Sequence, residues 1–230
     1  MSLLMKVLLA DADDTLFDFH RGERVAISDT FRAFGIPDTP EHAALYHRVN
    51  LAQWQRLERG ETTQARLRVD RFRDFLTQAR LPGDPQALCD FFVERLGCQR
   101  FLLPGALAFC QAVSRHIPIY LVTNGIARVQ RSRFSSSELA PYIAGLVISE
   151  EVGRSKPDPA MVFEALRRAG GVSPRDAAMI GDSVTSDIPA ARAAGVKSIL
   201  FTNGQEPPQG HGADAVARTY VDALALLGLS

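Results

Sequence analysis

Lysine is nearly absent from this 230-residue chain: Lys6, Lys156 and Lys197 are the only three, so arginine supplies the other 23 of its 26 basic residues. Those 26 are matched by 26 acidic residues, leaving a formal charge of zero. No overall field draws the chain to a nucleic-acid polymer or an anionic membrane, so electrostatic arguments about partners must be local. Cysteine is also scarce. Cys89, Cys98 and Cys110 are odd in number and include no C-x-x-C pair, which argues against a disulfide scaffold and a cysteine zinc centre. The apolar opening, from Leu3, is interrupted by Lys6 and stops at Asp11, too short for a membrane span and without a cleavage pattern. No fixed-period repeat or low-complexity tract is present. Free thiols and the lack of an export signal set the expectation of a cytoplasmic protein.

What is present is a globular composition, 46% hydrophobic and 23% charged, of a length that suits one large domain or one domain with an insert. Short aliphatic runs at Met5 to Ala10, Ile117 to Val122, Leu146 to Ser149, Ala177 to Ile180 and Ser198 to Phe201 have the length of buried parallel strands. Helical patterns separate them, among them Pro159 to Ala169 and Ile188 to Ala194, the latter stopped by Gly195. Strand and helix in alternation predict an α/β fold with a doubly wound parallel sheet. The stretch from Phe17 to Phe101 has no convincing strand and repeats apolar residues at helical spacing, as at Leu67, Phe72, Phe75 and Leu76. It reads as an all-helical insert placed after the first strand, over the carboxyl edge of the sheet where such folds bind ligands.

Four polar clusters follow predicted strands. Asp11-Ala12-Asp13-Asp14-Thr15 crowds three carboxylates at one strand tip, an arrangement that a divalent cation or a proton would relieve, although an acidic cluster also caps helices and ends turns. Gly181-Asp182 follows another strand, with Asp187 five residues further on. If the two strands are neighbours, Asp11 and Asp182 converge as hard oxygen ligands of the kind Mg²⁺ takes, and Asp187 orients a ligand from behind or caps the next helix. Thr123-Asn124-Gly125 offers a hydroxyl, an amide and backbone N–H groups that can cradle a phosphate, and is equally a turn former. In a chain this poor in lysine, Lys156 stands out. Pro157 holds it extended before a helix, where its ammonium can neutralise a carboxylate and a phosphate oxygen.

The order D-x-D-x-T, strand with T-N, K-P, G-D-x-x-x-x-D, from Asp11 to Asp187, resembles the haloacid dehalogenase superfamily of phosphohydrolases. The resemblance implies a Rossmann-like core over residues 1–16 and 102–230 and a helical cap over 17–101. It implies that Asp11 is the nucleophile forming an aspartyl-phosphate and that Asp13 protonates the leaving alcohol and then activates water. Mg²⁺ would be held by Asp11, the main-chain carbonyl of Asp13 and Asp182, and the phosphoryl group by Thr123, Asn124 and Lys156. Asp11 to Phe17, Val147 to Gly153 and Gly60 to Phe75 look like the house-cleaning pyrimidine nucleotidases. This implies a small phosphorylated metabolite, a nucleoside monophosphate, as partner of a monomer or homodimer. Phe17, Tyr46 and Trp54 are candidates for stacking on a base or for packing the cap. Arg66, Arg68, Arg71 and Arg73 would steer an anion or form a solvated face with Asp70 and Asp74.

Other readings share parts of this pattern. A dehalogenase uses the same nucleophile but has no alkoxide to protonate, which leaves Asp13 without a task. Phosphonate cleavage in the related enzymes relies on a cap lysine, and residues 17–101 contain none. A sugar-phosphate phosphatase or phosphomutase needs the same core. A receiver-type signalling module also gathers acidic residues, Thr and Lys around Mg²⁺, but it is smaller and has no insert after its first strand.

Overall fold

A computed structural model describes residues 5–229. Met1 to Leu4, where the apolar opening and the expected core begin, and Ser230, where the core ends, lie outside the described residues. Six strands form one parallel sheet: β1 (Val7–Ala10), β2 (Ile119–Thr123), β3 (Gly145–Ile148), β4 (Ala177–Gly181), β5 (Lys197–Phe201) and β6 (Ala215–Ala217). Their spatial order is β3-β2-β1-β4-β5-β6. β1 lies at the centre, with Ala10 in register with Leu121 of β2 on one side and Ile180 of β4 on the other. The strand order reverses at β1, and the crevice beyond the strand ends is where open α/β sheets bind ligands. β1 and β4 are buried along their whole length, which is why they read as unbroken aliphatic runs. The sixth strand escaped the sequence analysis because it is three residues long and sits at the edge.

Helices α1 (Phe19–Ala33), α2 (Pro40–Glu58), α3 (Gln64–Ala79) and α4 (Pro85–Gly97) all fall between β1 and β2. Each starts at a side-chain cap, Asp18, Thr39, Thr63 and Asp84 in turn, whose oxygen accepts a first-turn N–H. Pro40 and Pro85 add a preset backbone angle at the start of α2 and α4. Their shared core is aromatic. Phe31 stacks on Phe75 at 5.0 Å, and Phe72 meets Phe92 edge-on at 5.5 Å. Tyr46 is buried against Phe72, Phe75 and Phe92. The two chain crossings between these helices and the sheet run side by side: Asp18 N–H donates to Phe101 O at 2.9 Å, and Leu103 N–H to Leu16 O at 2.9 Å.

Helices α5 (Ala106–Ser114), α7 (Ser149–Val152), α8 (Ala160–Arg168), α9 (Asp187–Ala193) and α10 (Tyr220–Leu227) flank the sheet, whereas α6 (Ala127–Ser135) packs chiefly against α4 and adds Val129 to the core of the inserted helices. One sheet face packs Leu8, Ala10, Leu121 and Ile180 against Phe109 and Val113 of α5. The other packs Val7, Leu9 and Met179 against Met161 and Val162 of α8 and Ala190 of α9. The alternation of Val7, Leu8, Leu9 and Ala10 between the two faces is the period-two rule of a strand buried on both sides. No helix among the described residues is long and apolar enough to cross a membrane.

Candidate active site

Because β2, β1 and β4 are adjacent and parallel, Thr123, Asp11 and Asp182 emerge side by side at one rim. Asp11 N–H donates to Ile180 O at 2.9 Å, which fixes the first residue beyond β1 against β4. Lys156 Nζ reaches this point from the loop before α8. It donates to Asp11 Oδ1 at 2.5 Å and Val122 O at 2.6 Å and pairs with Asp187 Oδ1 at 2.7 Å. Lys156 and Asp187 are almost fully buried, and Asp11 retains only 7% of its exposure. Burial acts to lower the Lys156 pKa, but the carboxylates of Asp11 and Asp187 outweigh it and hold the ammonium above the ordinary lysine range.

The carboxylates respond in the opposite direction. Burial pushes the Asp11 carboxyl well above its usual range, Lys156 opposes this, and Asp187, Asp182 and Asp13 add to it. Asp182 is raised to about 7 by the protein around it and by the charges of Asp187 and Asp14. Its outer edge is open to solvent, which screens part of that effect. Oxygen atoms of Asp11, Asp182 and Asp187 lie within 4.8 Å of one another. Three carboxylates at that spacing against one ammonium leave an uncompensated negative charge, and an all-oxygen donor set of this kind suits a hard divalent cation.

The glycine of the G-D pair is required by a close approach. A Cβ at Gly181 would run into the Asp187 carboxylate, which also accepts the Ser183 N–H at 3.0 Å. Asp187 is the first residue of α9, with Ser186 as its cap, so its side chain is free to hold Lys156. Thr123 is buried, and its Oγ1 accepts the Gly125 N–H at 3.2 Å. Both ends of the Asn124 side chain are taken by the Lys156 backbone: Nδ2 donates to its carbonyl and Oδ1 accepts its N–H, each at 2.8 Å. Asn124 therefore braces the lysine loop through its side chain while it lines the cleft over this rim.

Asp13 differs from its neighbours. Its carboxylate accepts Gln130 Nε2 at 2.7 Å and Arg133 Nη1 at 2.6 Å, both from α6. These two buried polar residues were missed by the sequence analysis. Their i, i+3 spacing on a helix that follows T-N-G is the signal that could have found them. Thr15 Oγ1 donates to Asp182 Oδ1 at 3.3 Å, joining the two acidic motifs.

A cleft of about 260 Å³ opens over the rim. Its floor includes Asp11, Asp13, Thr123, Lys156 and Asp182, and its roof is Phe19, Trp54, Leu57, Arg71 and Leu96 from the inserted helices. Gln64 Nε2, at the start of α3, donates to Asn124 O at 3.0 Å and Gly125 O at 3.1 Å, tying the roof to the T-N-G loop. Of the three aromatic candidates, Trp54 alone lines the cleft. Phe17 is buried in the sheet core with the Arg133 guanidinium over its ring at 4.6 Å, and Tyr46 is enclosed by phenylalanines. Arg71 is buried and donates to Asn50, Arg68 pairs with Glu150 and Arg73 with Asp70, whereas Arg66 is exposed.

Comparison with known proteins agrees with this geometry. The family model "haloacid dehalogenase-like hydrolase" matches residues 5–195. The pyrimidine 5'-nucleotidase PynA of Streptococcus pneumoniae is 31% identical over 201 residues, covering 86% of this chain and 84% of its own. A phosphoserine phosphatase of Thermus thermophilus is 34% identical over 230 residues, covering 88% and 91% respectively. The crystal structure of the putative HAD-hydrolase YfnB of Bacillus subtilis, bound to magnesium, superposes with a TM-score of 0.91 at 26% identity, covering 97% of this chain and 98% of that one. The chain belongs to the haloacid dehalogenase-like hydrolases and is an enzyme of the phosphatase type.

Proposed function

We propose that the protein is a Mg²⁺-dependent phosphomonoesterase acting through an aspartyl-phosphate on Asp11, with nucleoside 5'-monophosphates of the pyrimidine type as its substrates. The observation that carries the chemistry is the buried Asp11–Lys156–Asp187 chain of ion pairs at the strand rim. Lys156 holds the Asp11 carboxylate in place and offers its ammonium to a phosphoryl oxygen at the same point. Asp13 stands two residues on, beside the path of the leaving oxygen, where it delivers a proton to the alcohol and later takes one from water. Gln130 and Arg133 fix the direction of its carboxylate. Thr123 Oγ1 and the main-chain N–H groups of the T-N-G loop bind the remaining phosphoryl oxygens.

Asp11 and Asp182, with the main-chain carbonyl of Asp13, are the groups that would hold Mg²⁺, and Asp187 supports them from behind. When bound, the cation neutralises the repulsion between carboxylate and phosphate and stabilises charge during transfer. We assign residues 1–16 and 102–230 to a catalytic core and 17–101 to a cap. The mainly apolar roof supports the substrate assignment: Trp54, Phe19, Leu57 and Leu96 suit a flat base, and among the described residues Arg71 is the one charged side chain that the inserted helices add beside them.

The test is phosphate release from a panel of pyrimidine and purine monophosphates, phosphoserine, sugar phosphates and an aryl phosphate, with Mg²⁺ and with EDTA. The expected result is Mg²⁺-dependent release with kcat/KM highest for pyrimidine monophosphates. Preference for phosphoserine or a sugar phosphate overturns the substrate assignment and keeps the chemistry. Full activity in EDTA overturns the metal dependence.

A further inference from the structure

A second cluster of metal-ligating side chains lies on the inserted helices, beside Asp14 at the border of the carboxylate rim. His20 and Glu23, three residues apart and on one face of α1, meet His47 of α2, and one ligand atom from each lies within 4.8 Å of the others. His47 Nδ1 is 3.6 Å from Glu23 Oε2. That separation is longer than a hydrogen bond and close to the roughly 3.4 Å edge of a tetrahedron whose centre is about 2.0–2.1 Å from each ligand.

The carboxylate is set up as a ligand would be. Glu23 is 4% exposed. Its Oε1 accepts Asn50 Nδ2 at 2.6 Å, and Asn50 Oδ1 accepts Arg71 Nη1 at 3.1 Å, so a buried chain of hydrogen bonds orients Oε2 towards the imidazoles. His20 Nε2 faces Asp14 Oδ2 at 3.4 Å. A carboxylate on one ring nitrogen is the usual device for orienting a ligating histidine through the other. The histidines are exposed and border an open cavity, which gives a cation an entry path and leaves room for water as a further ligand. Arg24 also borders this cavity and, among the described residues that line it, is the one permanent cation. The negative charges of Glu23 and Asp14 oppose it.

We propose that His20, Glu23 and His47 form a binding site for a divalent transition cation of the Zn²⁺ class, distinct from the catalytic rim and independent of the substrate assignment. The donor chemistry separates the two sites: imidazole nitrogens favour Zn²⁺ over Mg²⁺, while the oxygen-only rim favours Mg²⁺.

The experiment is equilibrium dialysis of the intact protein against Zn²⁺ in saturating Mg²⁺, which occupies the rim. The comparison is wild type with His47→Ala, His20→Ala and Asp182→Asn. The histidine variants change exposed side chains and leave the buried Glu23–Asn50–Arg71 chain in place, and circular dichroism checks their folding. Wild type and Asp182→Asn are expected to bind one Zn²⁺ per chain, with affinity falling at least about tenfold in each histidine variant. If wild type binds no Zn²⁺ under these conditions, or if the histidine variants bind it as wild type does, the proposal fails. Loss of the equivalent in Asp182→Asn alone would place the cation at the rim and overturn the proposal in the same way.

Discussion

The sheet and the inserted helices solve different problems with different materials. At the rim, polar groups are placed by the backbone: residues that follow three adjacent parallel strands must share one edge, whatever their side chains prefer. In the insert, the aromatic core of Phe31, Phe72, Phe75 and Phe92 decides which residues face the cleft, and Trp54 reaches it only because α2 packs as it does. The rim holds charge at the cost of burying it, while the roof supplies shape. On the proposed function, chemistry belongs to the first region and choice of substrate to the second, a division that mutation can break.

The largest effect is expected from Asp11→Asn, which removes the charge of the proposed nucleophile and keeps its shape. Turnover should fall by at least about 10⁴-fold on every substrate. Its melting temperature should not fall, because Lys156 keeps Asp187 as a partner. Residual activity above about a hundredth of wild type, in a folded protein, would remove Asp11 from the chemistry.

Next is Asp13→Asn, for which a loss on the order of 10²- to 10⁴-fold is expected on alkyl esters. An aryl phosphate, whose leaving group needs no proton, should suffer much less. Equal losses on both would mean that Asp13 is not the acid.

Trp54→Ala tests the other side of the division. About a tenfold rise in KM is expected for pyrimidine monophosphates, with kcat and the aryl phosphate little changed. If all substrates lose alike, Trp54 supports the fold of the roof and the comparison between the regions collapses.

The smallest effect is one of pH on the metal-free protein. Asp182 is held at about 7 and Asp14 at about 6, both above the 3.8 of an ordinary aspartate. Burial leads in each case, with neighbouring carboxylates adding to it and Lys156 or His20 opposing it. The folded chain therefore binds more protons than the unfolded one between about pH 4 and 7, and these groups stabilise it as pH falls through that window. In EDTA the melting temperature should rise by a few degrees, about 2–4, from pH 8 to pH 6. Mg²⁺ should erase most of that rise, as should Asp182→Asn. A melting temperature that falls over this range with and without Mg²⁺ would contradict the charge reading of the rim.

How much could be read in advance follows the same division. Val7 to Ala10 and Ala177 to Gly181 announce themselves as strands because both faces are buried, and Asp11 and Asp182 inherit their places from them. Gly195, at φ 73°, closes α9 where the sequence analysis expects a helix to end. By contrast, nothing local distinguishes Trp54 from Tyr46, or Arg71 from Arg66. Each pair shares one helix and one class of side chain, aromatic or basic, and only packing separates the buried member from the other.

The sequence by itself determined the α/β alternation, the helical nature of residues 17–101 and the acidic, threonine and lysine motifs, because hydrophobic period, caps and strand ends are local properties of the chain. The tertiary structure alone decided that the Asn124 side chain braces Lys156, that Gln130 and Arg133 hold Asp13, and that His20, Glu23 and His47 meet. Those contacts join residues from different elements. Their geometry is set by how helices pack on the sheet and on each other, which no short window of sequence contains.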